Sequence, residues 1–365
     1  MSERRPLSDS ERLDWLRLIR SDNVGPVIFG QLLQRFGSAA EALSALPDLA
    51  KHGGRRSFRA YARDDAETEI EKLAGVAARL IARCEPDYPA ALAAVEDAPP
   101  LLAVRGRTEI LNRRGVAVVG ARNASANGIR FARQLATELG AAGLLVVSGL
   151  ARGIDAATHR GALPTGTVAV LAGGVDVVYP AENAGLYDEV VAQGAAISEM
   201  PPGLQPQARH FPQRNRIVAG MSLGVVVIEA ALKSGSLITA RLAGEYGREV
   251  FAVPGSPLDP RARGSNDLLR QGATLTESAE DVVQALGSPA GAPSSTIPEP
   301  APQLTDSDVE LALKWVLEKL GHAPTPVDEI IRQCHVPPSV VHMALLELEL
   351  AGRLTRHPGN MVSLI

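Results

Sequence analysis

The chain has 365 residues, of which 45% are hydrophobic and 4% aromatic, and its formal net charge is −4 at pH 7. This length allows roughly two or three globular domains. The net negative charge argues against a protein that binds nucleic acid over its whole surface, so any such site must be a local basic patch.

Neither the cysteines nor the apolar segments indicate a secreted or membrane protein. Cys84 and Cys334 lie far apart in the sequence, which argues against a disulfide framework. The charged N-terminus lacks the apolar region of a signal peptide, and no apolar run approaches the ~18 residues of a membrane helix. We therefore expect a cytoplasmic protein.

The N-terminal part of the chain predicts a small helical domain over residues 1–85. Apolar residues recur at helical spacing in residues 13–19 and 27–36, on either side of a glycine-containing turn at residues 23–26. This arrangement resembles a helix-hairpin-helix or SAM-like unit. Such a unit can hold a DNA backbone through its turn or serve only for packing, and the sequence leaves both interpretations open.

Residues 86–286 predict a Rossmann-like domain, so the expected fold class is α/β with an extended parallel sheet. Short apolar runs alternate with helical patterns, which is typical of βαβ units. Most of the runs are continuously apolar, as expected for strands buried on both faces. They occupy residues 116–119, 144–147, 168–171, 195–198, 225–228 and 250–253.

The remainder predicts a linker over residues 287–303, rich in proline, serine and alanine, and a winged helix over residues 304–365. A winged helix that reads DNA carries Lys or Arg on or near its recognition helix. Residues 337–350 have neither, and the domain holds five Lys/Arg against eight Asp/Glu. We therefore predict that it does not bind DNA strongly and serves protein contacts.

Four loops after the predicted strands of the Rossmann-like domain combine glycines, hydroxyl groups and cations. Ligands of parallel α/β sheets bind at the carboxyl ends of strands, where helix N-termini attract phosphate. We assign DNA or phosphate binding to Gly120, Arg122 and Ser125 in the first loop, Ser148, Gly149, Arg152 and Gly153 in the second, Phe211, Arg214, Asn215 and Arg216 in the third, and Lys233, Ser234, Gly235, Ser236 and Thr239 in the fourth. Four such loops at one edge indicate several phosphates, hence a strand and not one nucleotide.

The third loop lies in a stretch without carboxylates, residues 200–228, and supplies the required basic patch. Phe211 is a candidate base-stacking platform, and we expect at least one arginine of this stretch to form a structural ion pair instead. Asp155 and Glu229 are predicted to support the loops, and His159 to pack. Ser236 lies where a helix N-cap would.

Several enzyme classes lack their signatures. There is no G-x-G-x-x-G after the first strand and no acidic residue at the end of the second, which argues against a dinucleotide cofactor. There is no G-x-x-x-x-G-K-[ST] motif for ATP hydrolysis. The sequence therefore predicts no cofactor, no metal and no catalytic residue.

The segments VAVVGARNAS, VVSGLARGIDAATHRGAL, FPQRNRIVAGMS and VVVIEAALKSGSLITARLA resemble the DprA/Smf family, the DNA-processing proteins of natural transformation. The resemblance covers residues 116–273 densely and the outer regions weakly, where the family has SAM-like and winged-helix domains. It implies binding of single-stranded DNA, protection of incoming strands, loading of the recombinase RecA, a homodimer through the Rossmann-like domain and no catalytic turnover. A single-strand-binding protein is a further candidate partner.

The resemblance also implies phosphate contacts at Arg122 and in the loops of residues 148–153, 214–216 and 233–239. The family often has Gly-Ser-Arg where this chain has Gly120-Ala121-Arg122. We expect slightly weaker phosphate binding from the lost hydroxyl, for which Ser125 could compensate.

Two alternatives compete with a DNA-binding mediator. One is a nucleotide phosphoribohydrolase on a related Rossmann-like fold, because Glu229 near a Gly/Ser/Thr loop resembles the P-G-G-x-G-T-x-x-E motif. Here, however, the carboxylate precedes the loop and the Pro-Gly-Gly is absent. The other is a scaffold whose loops only cap helices. We expect the protein not to be an enzyme.

Overall fold

The computed structural model describes residues 4–52, 59–287, 306–334, 336–357 and 360–365. The predicted linker, residues 287–303, lies outside the described residues except for its first. Within these limits the chain forms two compact units, one of residues 4–8 and 67–287 and the other of residues 9–66 and 306–365. The three predicted boundaries between the four segments stay predictions.

The N-terminal helical domain begins with α1 (Asp9–Arg20), α2 (Pro26–Phe36) and α3 (Ala39–His52). The predicted turn between the first two helices is present. Gly25 is the N-cap of α2 and Pro26 its first residue, where a proline loses no hydrogen bond because the first N–H groups of a helix have no intrahelical partner.

The described part of the first unit contains a nine-stranded sheet in the order β1-β2-β6-β5-β4-β3-β7-β8-β9. The strands are β1 (Ala78–Ala82), β2 (Leu101–Gly106), β3 (Gly115–Gly120), β4 (Leu145–Ser148), β5 (Thr167–Val170), β6 (Ala195–Ser198), β7 (Gly224–Ile228), β8 (Glu249–Ala252) and β9 (Thr274–Leu275). The strands from β3 onward pair in parallel, which confirms the predicted α/β class. Two antiparallel strands, β1 and β2, extend one edge, and the prediction that residues 78–82 are helical was wrong.

Side chains of the central strands alternate between two apolar layers. Val116 and Val118 pack into one layer, while Ala117 and Val119 pack into the other. Because strand side chains alternate with a period of two, continuous apolar runs are what burial on both faces requires.

Helices precede or follow most strands of this sheet along the chain. They are α4 (Arg63–Gly75), α5 (Ala90–Ala93), α6 (Ala126–Ala141), α7 (Ile154–Ala162), α8 (Ala184–Gln193), α9 (His210–Gly220), α10 (Gly235–Glu245), α11 (Arg263–Arg270) and α12 (Ala279–Leu286). Among the described residues no helix is both long and apolar enough to cross a membrane.

The C-terminal region confirms the predicted winged helix. It contains α13 (Asp306–Lys319), α14 (Val327–Cys334) and α15 (Pro338–Leu350), with the strands β10 (Thr325–Pro326), β11 (Leu354–His357) and β12 (Met361–Leu364). The last two form the predicted antiparallel hairpin, and α15 occupies the position of the recognition helix.

Candidate nucleic-acid interface

The predicted loops meet where the strand order reverses. Strand β3 lies between β4 and β7, so the connection after β3 and the connection after β7 leave the sheet in opposite directions and open a crevice. A cleft of about 580 Å³ lies there, which we call the main cleft. Of the predicted residues, it is lined by Gly120, Arg122, Asp155, Phe211, Arg214, Asn215, Lys233, Ser234, Gly235, Ser236 and Thr239.

A second cavity, the side pocket, adjoins the main cleft and has a volume of about 370 Å³. Arg122, Phe211 and Arg214 line both cavities. The second predicted loop contributes Gly149 and Arg152 to the side pocket. The structure therefore brings residues of all four predicted loops to one edge of the sheet.

A row of one cation and two aromatic rings runs from the wall that the two cavities share into the side pocket. The guanidinium carbon of Arg122 lies 4.9 Å from the centroid of the Phe211 ring. The Phe211 ring is followed by the Tyr179 ring at a centroid distance of 5.7 Å and an interplanar angle of 60°. Because Tyr179 is 51% exposed, the row ends in a ring that a flat ligand can reach.

Tyr179 was not predicted from the sequence. The residue precedes α8 in the segment VYPAEN and lines the side pocket beside Pro180. A signal was present, because exposed aromatic side chains are scarce in a chain with 4% aromatics and this one stands in a strand-to-helix connection. Arg261, which lines the main cleft, was also missed.

The third predicted loop is a helix. Residues 210–220 form α9, in which positions three and four apart share a face. Phe211, Arg214 and Asn215 have this spacing and line the main cleft together. The prediction of an irregular loop at residues 210–216 was wrong, whereas three of its four assigned residues reach the cleft.

The side chain of Arg214 is buried and packs closely against Gly149. The side chain is 6% exposed, and burial lowers its pKa against the opposing effect of the Asp155 charge. Arginine nevertheless stays charged in proteins. A Cβ atom added at Gly149 would lie 1.3 Å from Nη1 of Arg214, so only glycine leaves room for the guanidinium there.

Asp155 braces the second loop. Its Oδ2 accepts hydrogen bonds from the amides of Gly149 at 3.2 Å and Ala151 at 3.3 Å. Burial raises the pKa of Asp155, while the charge of Arg214 and these amide bonds act in the opposite direction. The carboxylate thus holds the loop backbone by hydrogen bonds, and its charge favours the charged form of the buried arginine.

The fourth loop presents the N-terminus of α10 to the main cleft. The N-cap is Ser234, whose side chain accepts from the Ser236 amide, so the sequence prediction of Ser236 as N-cap was wrong. Asn215 Nδ2 donates to the carbonyl of Gly235 at 3.2 Å and ties α9 to this loop. With the exposed Lys233 beside it, the helix end combines N–H groups that have no partner inside the helix with a cation, which suits phosphate.

Ser125 lies outside both cavities. Its side chain caps α6 by accepting from the Gly128 amide at 2.9 Å. Its own amide donates to Glu229 at 2.8 Å, and its hydroxyl donates to the other oxygen of that carboxylate. Both oxygens of Glu229 are therefore engaged in supporting the first loop.

Three further predicted residues are also not brought to the cavity walls. Ser148 is buried and donates to the Val118 carbonyl at 2.7 Å. Arg216 forms a mostly buried ion pair with Glu199, which makes it the structural arginine expected in this stretch. Gly153 packs against the first loop, since an added Cβ would lie 2.3 Å from the Ala121 carbonyl oxygen.

His159 packs inside the domain. Its Nδ1 lies 2.9 Å from Oγ1 of Thr167, and that hydroxyl gives its proton to the Val146 carbonyl at 2.7 Å. A hydroxyl has one proton to donate, so Nδ1 of His159 carries the hydrogen of this contact. Burial lowers the pKa of His159 to about 3, and the imidazole is neutral.

The main cleft is cationic on a chain of net charge −4. Among the described residues that line it, Arg122, Arg214, Lys233 and Arg261 face a single carboxylate, Asp155. Arg261 is held by a two-point contact with Asp259, at 3.0 Å from Nε to Oδ1 and 2.8 Å from Nη2 to Oδ2. These four cations make the main cleft a local basic patch on an acidic chain.

Three family models match the chain. Residues 79–287 match DNA recombination-mediator protein A. Residues 9–71 match the DprA-like N-terminal HHH domain, and residues 298–360 match the DprA winged helix domain.

Curated relatives match over most of their own length. Protein Smf of Escherichia coli is 38% identical over 314 residues, which are 84% of this chain and 83% of the relative. DNA processing protein DprA of Streptococcus pneumoniae is 40% identical over 255 residues, 68% of this chain and 89% of the relative.

Two solved structures share the fold. The X-ray structure of DprA from Streptococcus pneumoniae matches with a TM-score of 0.65 at 34% identity, covering 76% of this chain and 98% of that one. DprA from Helicobacter pylori, solved for its single-stranded DNA binding mode, matches with a TM-score of 0.53 at 30% identity, covering 57% of this chain and 95% of that one. Because the recombination-mediator model alone matches more than half of the chain, this protein belongs to the DprA/Smf family.

Proposed function

We propose that the main cleft and the side pocket bind single-stranded DNA, with phosphates on the cations and bases on the aromatic row. The observation that carries this proposal is the contiguous row of Arg122, Phe211 and Tyr179, which runs from the wall shared by the two cavities into the side pocket. An unpaired base can stack on an exposed ring, whereas duplex bases already stack on each other. The row therefore favours single strands over duplexes.

The phosphate sites extend across both cavities. Lys233 and the N-terminus of α10 lie in the main cleft, while Arg152 lies in the side pocket. Arg152 is exposed although it contacts Glu182 at 2.8 Å, and an exposed ion pair of this kind exchanges for a phosphate at little cost. Several separated cations fit a chain of phosphates better than one nucleotide.

Similarity to the Helicobacter pylori protein supports the choice of ligand, because that protein binds single-stranded DNA. The finer steps of the proposal rest on family membership. They are protection of incoming strands, loading of RecA during natural transformation or DNA uptake, a homodimer through the Rossmann-like domain, and contact with a single-strand-binding protein, all in the cytoplasm.

On this proposal the chain binds DNA without turnover. The alternative phosphoribohydrolase needs a carboxylate that faces the bound nucleotide. Glu229, the residue on which that alternative rests, accepts from the amide and the hydroxyl of Ser125 with its two oxygens. Release of free base from mononucleotides by the purified protein would support the enzyme instead.

Fluorescence anisotropy with labelled single- and double-stranded oligonucleotides at two salt concentrations tests the site. We expect preferential, salt-sensitive binding of the single strand, because each phosphate contact releases counterions. Arg122→Ala should remove most of this affinity. Arg130→Ala, which deletes an exposed arginine of α6 outside both cavities, should not. Equal loss in both variants, or no binding by wild type, would contradict the proposal.

A further inference from the structure

Helix α15 has two apolar faces, and they are covered by different parts of the chain. Val341, Ala344, Leu345 and Leu348 belong to the core of the winged helix. Leu346 and Leu350 belong to a separate core, together with Phe29 and Leu32 of α2 and Leu43 of α3. A helix that is apolar on opposite sides must be covered on both, and here the second cover is the N-terminal helical domain.

The contact is buried and specific. Leu346 is 1% exposed and Leu350 is 0% exposed, which places them as deep as any core residue. Glu347, between them in sequence, is 3% exposed, and its Oε1 lies 3.9 Å from Nη1 of Arg35 on α2. The interface thus combines an apolar centre with a pair of opposite charges.

The turn of the helical hairpin takes part in the same contact. Asn23, in that turn, donates from Nδ2 to the carbonyl oxygen of Leu350 at 3.0 Å. The last carbonyl groups of a helix have no partner inside the helix, so this amide fulfils a need of α15. Gly352 lies equally close, because an added Cβ there would be 3.2 Å from the same Nδ2.

We infer that the winged helix recognises the N-terminal helical domain of its own chain through α15, and does not read DNA. The helix that would enter a major groove is covered along the face of Leu346 and Leu350. Its carboxylates would repel phosphates if it were uncovered. The hairpin turn, through which a helix-hairpin-helix can hold a DNA backbone, contacts the end of α15 through Asn23. Two modules that elsewhere bind DNA are used here to bind each other.

The inference is independent of the proposed function, since none of its residues lines the main cleft or the side pocket. A protease site inserted between residues 290 and 300 of the full chain allows the covalent connection to be cut after folding. We expect the C-terminal fragment to co-elute with the rest of the chain in size-exclusion chromatography under native conditions. Separation of the two fragments of the wild-type sequence would overturn the inference.

Variants then locate the surface. Leu346→Asp buries a charge in the interface and should weaken the association at least roughly a hundredfold, so that the fragments separate. Leu311→Asp makes the same change at a 51% exposed position of the same winged helix and should leave the fragments together. Release by both variants, or by neither, would contradict the assigned surface.

Circular dichroism of the released fragment would reveal whether Leu346→Asp unfolds the winged helix. Reversing the charges at Arg35 and Glu347 tests the interface without that substitution. Arg35→Glu changes only the N-terminal helical domain and brings two carboxylates together at the Arg35–Glu347 contact. We expect this variant to release the fragment faster, and Arg35→Glu combined with Glu347→Arg to restore retention. Equal retention in wild type and Arg35→Glu would count against the interface.

Discussion

A methyl group added at Gly149 should displace the guanidinium of Arg214, which lines both cavities. The Cβ of Gly149→Ala would lie 1.3 Å from Nη1, 2.3 Å from Cζ and 2.6 Å from Nη2 of Arg214. All three distances are shorter than any ordinary contact between these atoms, for which carbon atoms prefer about 3.5–4.0 Å. The guanidinium must therefore move by about 2 Å or leave the site.

The magnitude follows from what Arg214 contacts. Its displacement removes the largest favourable charge that acts on the buried Asp155, but no ion pair joins these two described side chains, so the cost stays below that of a broken buried pair, about 3–5 kcal/mol. Two amide bonds to Asp155 remain, so we expect the free energy of unfolding to fall by about 1–3 kcal/mol. Loss of one charge-assisted phosphate contact, worth about 1.5–3 kcal/mol, weakens binding of single-stranded DNA roughly 10- to 150-fold.

Urea unfolding and fluorescence anisotropy measure the two effects separately. Gly185→Ala is the matched control, since it makes the same change at an exposed glycine with no atom within 4 Å of the added Cβ. It should leave affinity unchanged and stability equal or slightly higher. If Gly149→Ala binds DNA and unfolds like wild type, the assigned position of Arg214 is wrong.

Three further predictions concern the aromatic row, the helix end and the buried histidine. Tyr179→Ala should weaken binding of single-stranded DNA by about 1–3 kcal/mol in anisotropy, as expected for one stacked base, while Tyr179→Phe should bind like wild type. Lys233→Ala should make the negative slope of log affinity against log salt shallower by about 0.7, the value for one phosphate contact on a single strand, and an unchanged slope would remove Lys233 from the site. Because the folded pKa of His159 is lowered to about 3, the unfolded chain takes up the proton first as pH falls below about 6.5. The free energy of unfolding should therefore fall by about 2 kcal/mol between pH 7 and pH 5. The His159→Asn variant should lack this decline when urea unfolding is measured at both pH values.

The central strands and the position of the site were predictable because both follow from local patterns. Strands β3 and β7 are unbroken apolar runs, and β4 is apolar up to its last residue, Ser148. Parallel strands bring their carboxyl ends to one edge whatever their order. Loops rich in glycine and cations after such strands must therefore approach each other. The order of the sheet and the antiparallel edge pair β1 and β2 depend on contacts between distant residues, which no local pattern specifies.

The sequence analysis did not separate the cleft residue Arg214 from the ion-paired Arg216, although the sequence contains the spacing that distinguishes them. Arg214 and Arg216 are two positions apart in a stretch that was predicted to be a loop. In a helix, positions two apart do not share a face, so α9 directs one arginine to the cleft and the other to Glu199. Recognising the helical spacing of Phe211, Arg214 and Asn215 would have excluded Arg216.

An acidic chain can present a cationic cleft only if the carboxylates near it are used for something else. Asp155 accepts from the amides of its own loop, Glu229 accepts from Ser125, and Asp259 holds Arg261 in place. Each carboxylate therefore uses its hydrogen-bonding capacity to position a loop or a cation, and its charge is partly compensated at short range. Arg122 and Lys233, which are exposed in the lining of the cleft, can then present their charges to a phosphate. Because such charges are screened within about a Debye length, the proposed function requires the cleft to attract strands that are already close, and the acidic remainder of the protein would limit non-specific attachment to DNA elsewhere.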